Sequence, residues 1–113
     1  MTQKLTGKIA VVTGAGRGVG REIARSLAAC GAQVALVARS TDQLQETERL
    51  IAENGGIACV IPADVSTQTG VELVRKNVED RLGRTDMLIN TAGVFGPIQM
   101  IKDSDPVRWV ETL

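Results

Sequence analysis

The residues whose types and spacing suggest chemistry run from Thr13 to Gly20, Thr-Gly-Ala-Gly-Arg-Gly-Val-Gly, directly after the apolar run Ile9-Ala10-Val11-Val12. A strand that enters a glycine turn and opens a helix can hold the phosphates of a dinucleotide. Gly14 can take the backbone angles of the tight turn, Gly18 lets the main chain approach a pyrophosphate, and Gly20 lets the helix lie close to the strand. Amide N–H groups at the helix start then face the anion. Taken alone, such glycines also fit an ordinary strand-to-helix turn. The residues that decide come later. A carboxylate about 20 residues past the glycines would bind the ribose 2′-hydroxyl of NAD, but here the sequence reads Ala38-Arg39-Ser40. Arg39 can pair with a 2′-phosphate through its planar fork, Arg17 supplies a second positive charge, and Ser40 can bond phosphate while capping its helix. The pattern favours NADP(H), with NAD(H) as the other cofactor of this class. The competing reading makes both arginines solvated surface residues.

The elements that must position these groups follow from periodicity. Ile9 to Val12 reads as a strand buried on both faces. From Gly18 a helix is expected, with Val19, Ile23 and Leu27 on its buried face, Ala24 and Ala28 widening it, and Arg21, Glu22 and Arg25 pointing away; Gly31 stops it. Val34 to Val37 repeats the buried strand. Ser40 with Gln43 then resembles a capping box opening a helix towards Glu53. A third strand covers Ile57 to Ile61, with Asp64 just beyond it. The next helix has Val71, Val74, Val78 and Leu82 on one side, Gly83 closes it, and Met87-Leu88-Ile89 is a fourth strand. Val94 to Lys102 shows no period, and Asp105-Pro106 reads as the start of another helix through Trp109. Strands alternating with helices imply right-handed parallel crossovers and a doubly wound sheet in the order 3-2-1-4. Gly14, Asp64 and Asn90 all follow strand ends, so they converge on one crevice.

Thr13-Gly14-x-x-x-Gly18-x-Gly20, Asp64-Val65 and Asn90-Thr91-Ala92-Gly93 together resemble, in the right order, the signatures of the short-chain dehydrogenases/reductases. The resemblance covers essentially the whole chain. It implies an α/β Rossmann-type fold over 1–113, incomplete at its C-terminal end after the fourth strand and the start of the following helix. It implies a cofactor site made of Thr13, Gly14, Gly16, Arg17, Gly18, Val19, Gly20, Arg39, Ser40, Asp64, Val65, Asn90, Ala92 and Gly93. In that site Asp64 accepts from the adenine amino group with the Val65 backbone assisting, although Asp64 beside Ser66 also fits helix capping. Asn90 ties the fourth strand to its neighbours, and Ala92 and Gly93 leave room for the ribose of the nicotinamide half. Thr91 departs from the family's more usual second asparagine. The family's catalytic serine and Tyr-x-x-x-Lys come later in sequence, and these 113 residues contain no tyrosine and no histidine. Lys102 and Ser104 read as solvated loop residues, so no catalytic position is assigned and this chain alone is expected to be inactive.

Composition narrows the rest. With 43% hydrophobic residues, the chain can build one compact core. The 13 basic and 13 acidic residues balance, which gives no footprint for nucleic acid or an anionic membrane. Cys30 and Cys59 are too far apart for a Cys-x-x-Cys motif, and with no histidine a conventional zinc site is not expected. No stretch reads as a signal peptide or membrane span, so a cytoplasmic protein is expected. The resemblance implies a small-molecule carbonyl or alcohol substrate and a homo-oligomer for the full-length form. The alternative is a non-catalytic nucleotide-binding or interaction module. A sheet that ended at the fourth strand would leave Met87-Leu88-Ile89 as an unprotected edge. With the last helix cut short, Val107, Trp109 and Val110 would be partly exposed, so the isolated chain is expected to self-associate or to bind cofactor weakly.

Overall fold

The computed structural model describes residues 4–91 and 99–101. The elements alternate as β1 (Ile9–Thr13), α1 (Gly18–Ala29), β2 (Gln33–Ala38), α2 (Thr41–Glu53), β3 (Ile57–Pro62), α3 (Gln68–Arg81) and β4 (Met87–Asn90), followed by a short β5 (Gln99–Ile101). The sheet order is β3-β2-β1-β4-β5. β1 to β4 pair in parallel, in the expected 3-2-1-4 order, and β5 joins β4 antiparallel. The architecture is therefore the doubly wound α/β sheet.

The unbroken apolar runs form strands because both of their faces are covered. On one face Val11, Ala35, Val37 and Leu88 pack with Val71, Val74 and Val78 of α3. On the other, Val12, Val34, Leu36 and Ile89 pack with Ala24 and Ala28 of α1 and with Leu44 and Ile51 of α2. Each fully buried Val or Leu contributes roughly 1.5–3 kcal/mol, so these two layers hold the helices on the sheet. In register, Thr13 lies opposite both Val37 and Asn90, and Ala38 lies opposite Pro62. The carboxyl ends of the four parallel strands thus form one rim.

The structure corrects three of the expectations. The α1 residues buried against the sheet are Gly20, Ala24 and Ala28, whereas Ile23 and Leu27 are only partly buried and Val19 is 61% exposed. The seam of small residues wins because Gly20 brings α1 so close to the strand that larger side chains are forced to its flanks. Arg21 does not point away; its guanidinium folds back onto the turn. Nor is β4 an edge: β5 pairs with it, and Met87, Leu88 and Ile89 are buried. A three-residue strand is too short to leave a readable period. The helix expected from Asp105-Pro106, with Val107, Trp109 and Val110, lies outside the described residues, as do Lys102 and Ser104.

Candidate functional site

The glycine turn at the end of β1 has the geometry its spacing implies. Gly14 and Gly18 have φ of +67° and +59°, the left-handed region that side chains rarely occupy. A Cβ on Gly20 would sit 1.9 Å from the Gly14 carbonyl oxygen, and one on Gly14 would sit 2.7 Å from Thr91 Oγ1. These two glycines are demanded by protein packing. Gly18 differs, since a Cβ there would meet nothing within 4 Å, so packing does not demand it. Arg17 stands at the N-cap of α1 in extended conformation and makes no side-chain cap. The first amides of the helix have no intrahelical acceptor. Arg17, Gly18 and Val19 are exposed there, with Gly16 and Gly20 buried behind them.

The second strand end supplies Arg39, exposed, and Ser40, whose hydroxyl accepts the Gln43 N–H at 3.3 Å and caps α2. Half of the expected capping box is thereby present. At the third strand end Asp64 is exposed and its Oδ1 accepts from the Ser66 amide at 2.9 Å and the Ser66 hydroxyl at 2.6 Å. These two bonds, assisted by the positive charge of Arg39, hold its carboxyl below the usual aspartate range. Asp64 therefore stays ionised at neutral pH; it bonds Ser66 but does not cap α3, whose N-cap is Thr67. Val65, beside it, packs partly buried on the α3 layer.

At the fourth strand end, Asn90 Oδ1 accepts from the Thr13 hydroxyl at 2.9 Å. The Thr91 amide donates to that same hydroxyl oxygen at 3.1 Å, and the Thr91 hydroxyl donates to the Thr13 carbonyl. Thr13 is fully buried, so its hydroxyl links β1 to β4 beneath the glycine turn. Thr91 fills the gap under Gly14 and Gly20. Ala92 and Gly93 lie outside the described residues.

Several supporting residues had no sequence signal. Thr47 is fully buried on α2, and its hydroxyl donates to the Ala15 carbonyl at 2.9 Å. Arg21 Nε donates to Thr47 Oγ1 at 2.9 Å, and its Nη2 donates to the carbonyls of Gly16 and Gln43. At the opposite end of the sheet, the Asp86 carboxylate accepts the Ile9 amide at 2.9 Å, and the Asp86 amide donates to the Ile9 carbonyl at 2.8 Å, fixing the start of β1. These residues satisfy backbone groups contributed by distant segments.

Other regions offer less chemistry. A groove between the C-terminal ends of α1 and α2, bordered by Arg25, Cys30, Leu50 and Asn54, lies away from the rim. Both cysteines are free thiols, and burial pushes the Cys59 thiol up. Among the described residues no group of His, Cys, Asp and Glu is placed to hold a metal, and no helix is long and apolar enough to cross a membrane.

Comparison with known proteins agrees with this geometry. The family model described as short chain dehydrogenase matches residues 8–113. A fatty acyl-CoA reductase of Acinetobacter baylyi is 36% identical over 91 residues, covering 80% of this chain and 31% of the relative. A 2,3-dihydro-2,3-dihydroxybenzoate dehydrogenase of Bacillus subtilis is 36% identical over 93 residues, covering 82% of this chain and 36% of the relative. The chain thus spans about a third of the length of these curated relatives. Among solved structures, the L-sorbose reductase of Gluconobacter frateurii complexed with NADPH and L-sorbose superposes with a TM-score of 0.78 at 39% identity, covering 83% of this chain and 36% of that one. A metagenomic short-chain oxidoreductase in complex with NADP gives a TM-score of 0.76 at 43% identity, covering 82% and 43%.

Proposed function

The chain belongs to the short-chain dehydrogenase family, and from that premise we propose that its rim binds NADP(H) in preference to NAD(H), for hydride transfer to or from a small-molecule carbonyl or alcohol. The observation that carries the proposal is the uncapped N-terminus of α1, open at Gly18 and flanked by the exposed Arg17 and Arg39. In this reading the amides of Gly18, Val19 and Gly20 hold the pyrophosphate, with Gly16 buried behind them. Arg39, Ser40 and Arg17 hold the 2′-phosphate, and no carboxylate stands at Ala38-Arg39-Ser40 to repel it. Asp64, ionised, accepts from the adenine amino group with the Val65 backbone beside it. Thr13 and Asn90 keep the floor of the site rigid, and Ala92 and Gly93 leave room for the nicotinamide ribose. When bound, the nicotinamide supplies the hydride chemistry. The NADPH and NADP complexes of the similar reductases support the same cofactor class.

Proton exchange with the substrate oxygen is assigned to groups outside these 113 residues, which hold neither tyrosine nor histidine. The same lack keeps a second reading, a non-catalytic nucleotide-binding module. A downstream coding sequence with serine followed by Tyr-x-x-x-Lys supports the enzyme, and an authentic stop codon after Leu113 supports the module. Family resemblance further leads us to place the full-length enzyme in the cytoplasm as a homo-oligomer, which fractionation and light scattering check.

The cofactor assignment is tested by titrating NADPH and NADH into the protein and into Arg39→Asp. Loss of a charge-assisted pair costs about 1.5–3 kcal/mol, so NADPH affinity should fall roughly 10- to 150-fold in the variant. Equal affinity of the unaltered protein for the two cofactors would contradict the assignment.

A further inference from the structure

The glycine turn has a back as well as a front, and the back is closed by two side chains. Its central carbonyls, those of Ala15 and Gly16, each receive a donor from another part of the chain: Thr47 Oγ1 for Ala15 and Arg21 Nη2 for Gly16. The two donors are joined, because Arg21 Nε donates to Thr47 Oγ1 at 2.9 Å. The same guanidinium reaches the Gln43 carbonyl at 3.3 Å, in the first turn of α2. That turn begins at Ser40, whose hydroxyl accepts the Gln43 amide, and Arg39 immediately precedes it. The packing is close as well as polar, since a Cβ on Gly16 would lie 2.9 Å from Gln43 Cβ.

Two physical consequences follow. Carbonyl dipoles that turned towards an anion would repel it, and donors on the back of the turn hold those of Ala15 and Gly16 away from the crevice. In a trans peptide the N–H lies opposite the carbonyl, so the bonds to the Ala15 and Gly16 carbonyls orient the amides of Gly16 and Arg17, the residues that lead into the helix start. In addition, Gln43 is tied at its amide to Ser40 and at its carbonyl to both Arg21 and Thr47, so these two side chains join the back of the turn to the Arg39-Ser40 corner, alongside the backbone bond from the Ala15 amide to the Val37 carbonyl. A dinucleotide phosphate contacting both ends needs their separation to be constant.

We infer that Arg21 and Thr47 form a buckle that sets the spacing between the pyrophosphate end and the 2′-phosphate end of the rim, and so act as positioning residues for cofactor discrimination. The inference rests on the cofactor reading above. Neither residue touches the cofactor in this account; both act through the turn and through α2.

The experiment measures the dissociation constants of NADPH and NADH, by fluorescence titration, for the protein and for Arg21→Met, Thr47→Val and Thr47→Ser. It is run well below each melting temperature, with circular dichroism confirming the fold. Thr47→Val keeps the shape and removes the hydroxyl. The expected result is at least a tenfold weaker NADPH affinity in Arg21→Met and Thr47→Val, with the ratio of NADH to NADPH dissociation constants falling at least fivefold, and with Thr47→Ser retaining the parental ratio. A purely structural role would lower the melting temperature and leave that ratio unchanged in the folded protein, which would overturn the inference while leaving the cofactor reading intact. Failure of the parental protein to bind either cofactor, or a parental ratio of one, overturns the cofactor reading and the inference with it. Should Thr47→Val not fold, Arg21→Met, altered at a partly exposed position, decides by the same ratio.

Discussion

Two strand-to-helix turns in this molecule are built on the same plan and finished differently. In the first, Gly20 packs so tightly that a Cβ would lie 1.9 Å from the Gly14 carbonyl oxygen; in the second, a Cβ on Gly70 would lie 1.8 Å from the Asp64 carbonyl oxygen. Each glycine stands six residues past the carbonyl it meets. The second turn closes on itself: the Thr67 hydroxyl accepts the Gly70 amide at 3.0 Å and reaches the Asp64 carbonyl at 3.1 Å, and Asp64 accepts from Ser66. The first has Arg17 where Thr67 would correspond, with no side-chain cap, and its donors serve the carbonyls on its back instead. The comparison teaches that a close-packed glycine belongs to the turn's architecture, whereas an uncapped helix start leaves amides for something outside the chain.

The largest expected effect tests the shared architecture. Gly20→Ala and Gly70→Ala should each destabilise the fold by about 3 kcal/mol or more, because a backbone carbonyl cannot yield as a flexible side chain can. Chemical denaturation measures both, and a cost confined to Gly20 would show that the turns are not equivalent.

Gly18→Val comes next and should separate function from folding. Its open surroundings leave only the left-handed conformation to oppose a side chain, a stability cost of about 1–3 kcal/mol. NADPH affinity should nevertheless fall more than tenfold, as seen by titration beside circular dichroism. Undiminished binding in the folded variant would remove the phosphate role of this turn.

Exchanging the cap chemistry should then trade stability for binding. Arg17→Asp gives α1 the kind of residue that caps helices and should raise stability by about 0.5–1 kcal/mol, while its charge repels phosphate and weakens NADPH binding. Thr67→Ala should lose about 1 kcal/mol and leave cofactor affinity unchanged. Melting curves with titrations of both variants check that opposition.

The smallest effect is the pH dependence of Asp64, whose folded-state pKa is lowered. For a depressed carboxylate, the stabilisation is present above the unfolded value, about 3.9, and is lost as pH falls through the lower folded value. Asp64→Asn should therefore flatten the acid limb of stability below about pH 4 and leave the range from about 5 to 8 nearly unchanged. Acid titration followed by circular dichroism measures this.

The glycine turn and the strand ends were legible in sequence, and the contacts behind the turn were not. Glycine spacing, strand ends and the carboxylate-free Ala38-Arg39-Ser40 corner are local patterns, and the 3-2-1-4 sheet order follows from alternation and crossover handedness. The side chains of Arg21, Thr47, Thr91 and Asp86 serve backbone groups 22 to 78 residues away, and such partners leave no local pattern. Arg21 in particular sits where helical periodicity points to solvent, and only a carbonyl within its reach turns it inward. The α1 face was misjudged for a related reason. Periodicity weights Val19, Ile23 and Leu27 by hydrophobicity, while the closest approach to the sheet is decided by the smallest residues.

The most direct test follows backbone amide resonances by two-dimensional NMR as NADPH is added to the protein. The account predicts large, saturable shifts at Gly18, Val19 and Gly20, a second set at Arg39 and Ser40, and no comparable shift at Gln68, Thr69 and Gly70, the first amides of the α3 turn closed by Thr67. Shifts that were absent from Gly18 to Gly20, or equal at the two helix starts, would contradict the claim that the uncapped start of α1 is the phosphate site.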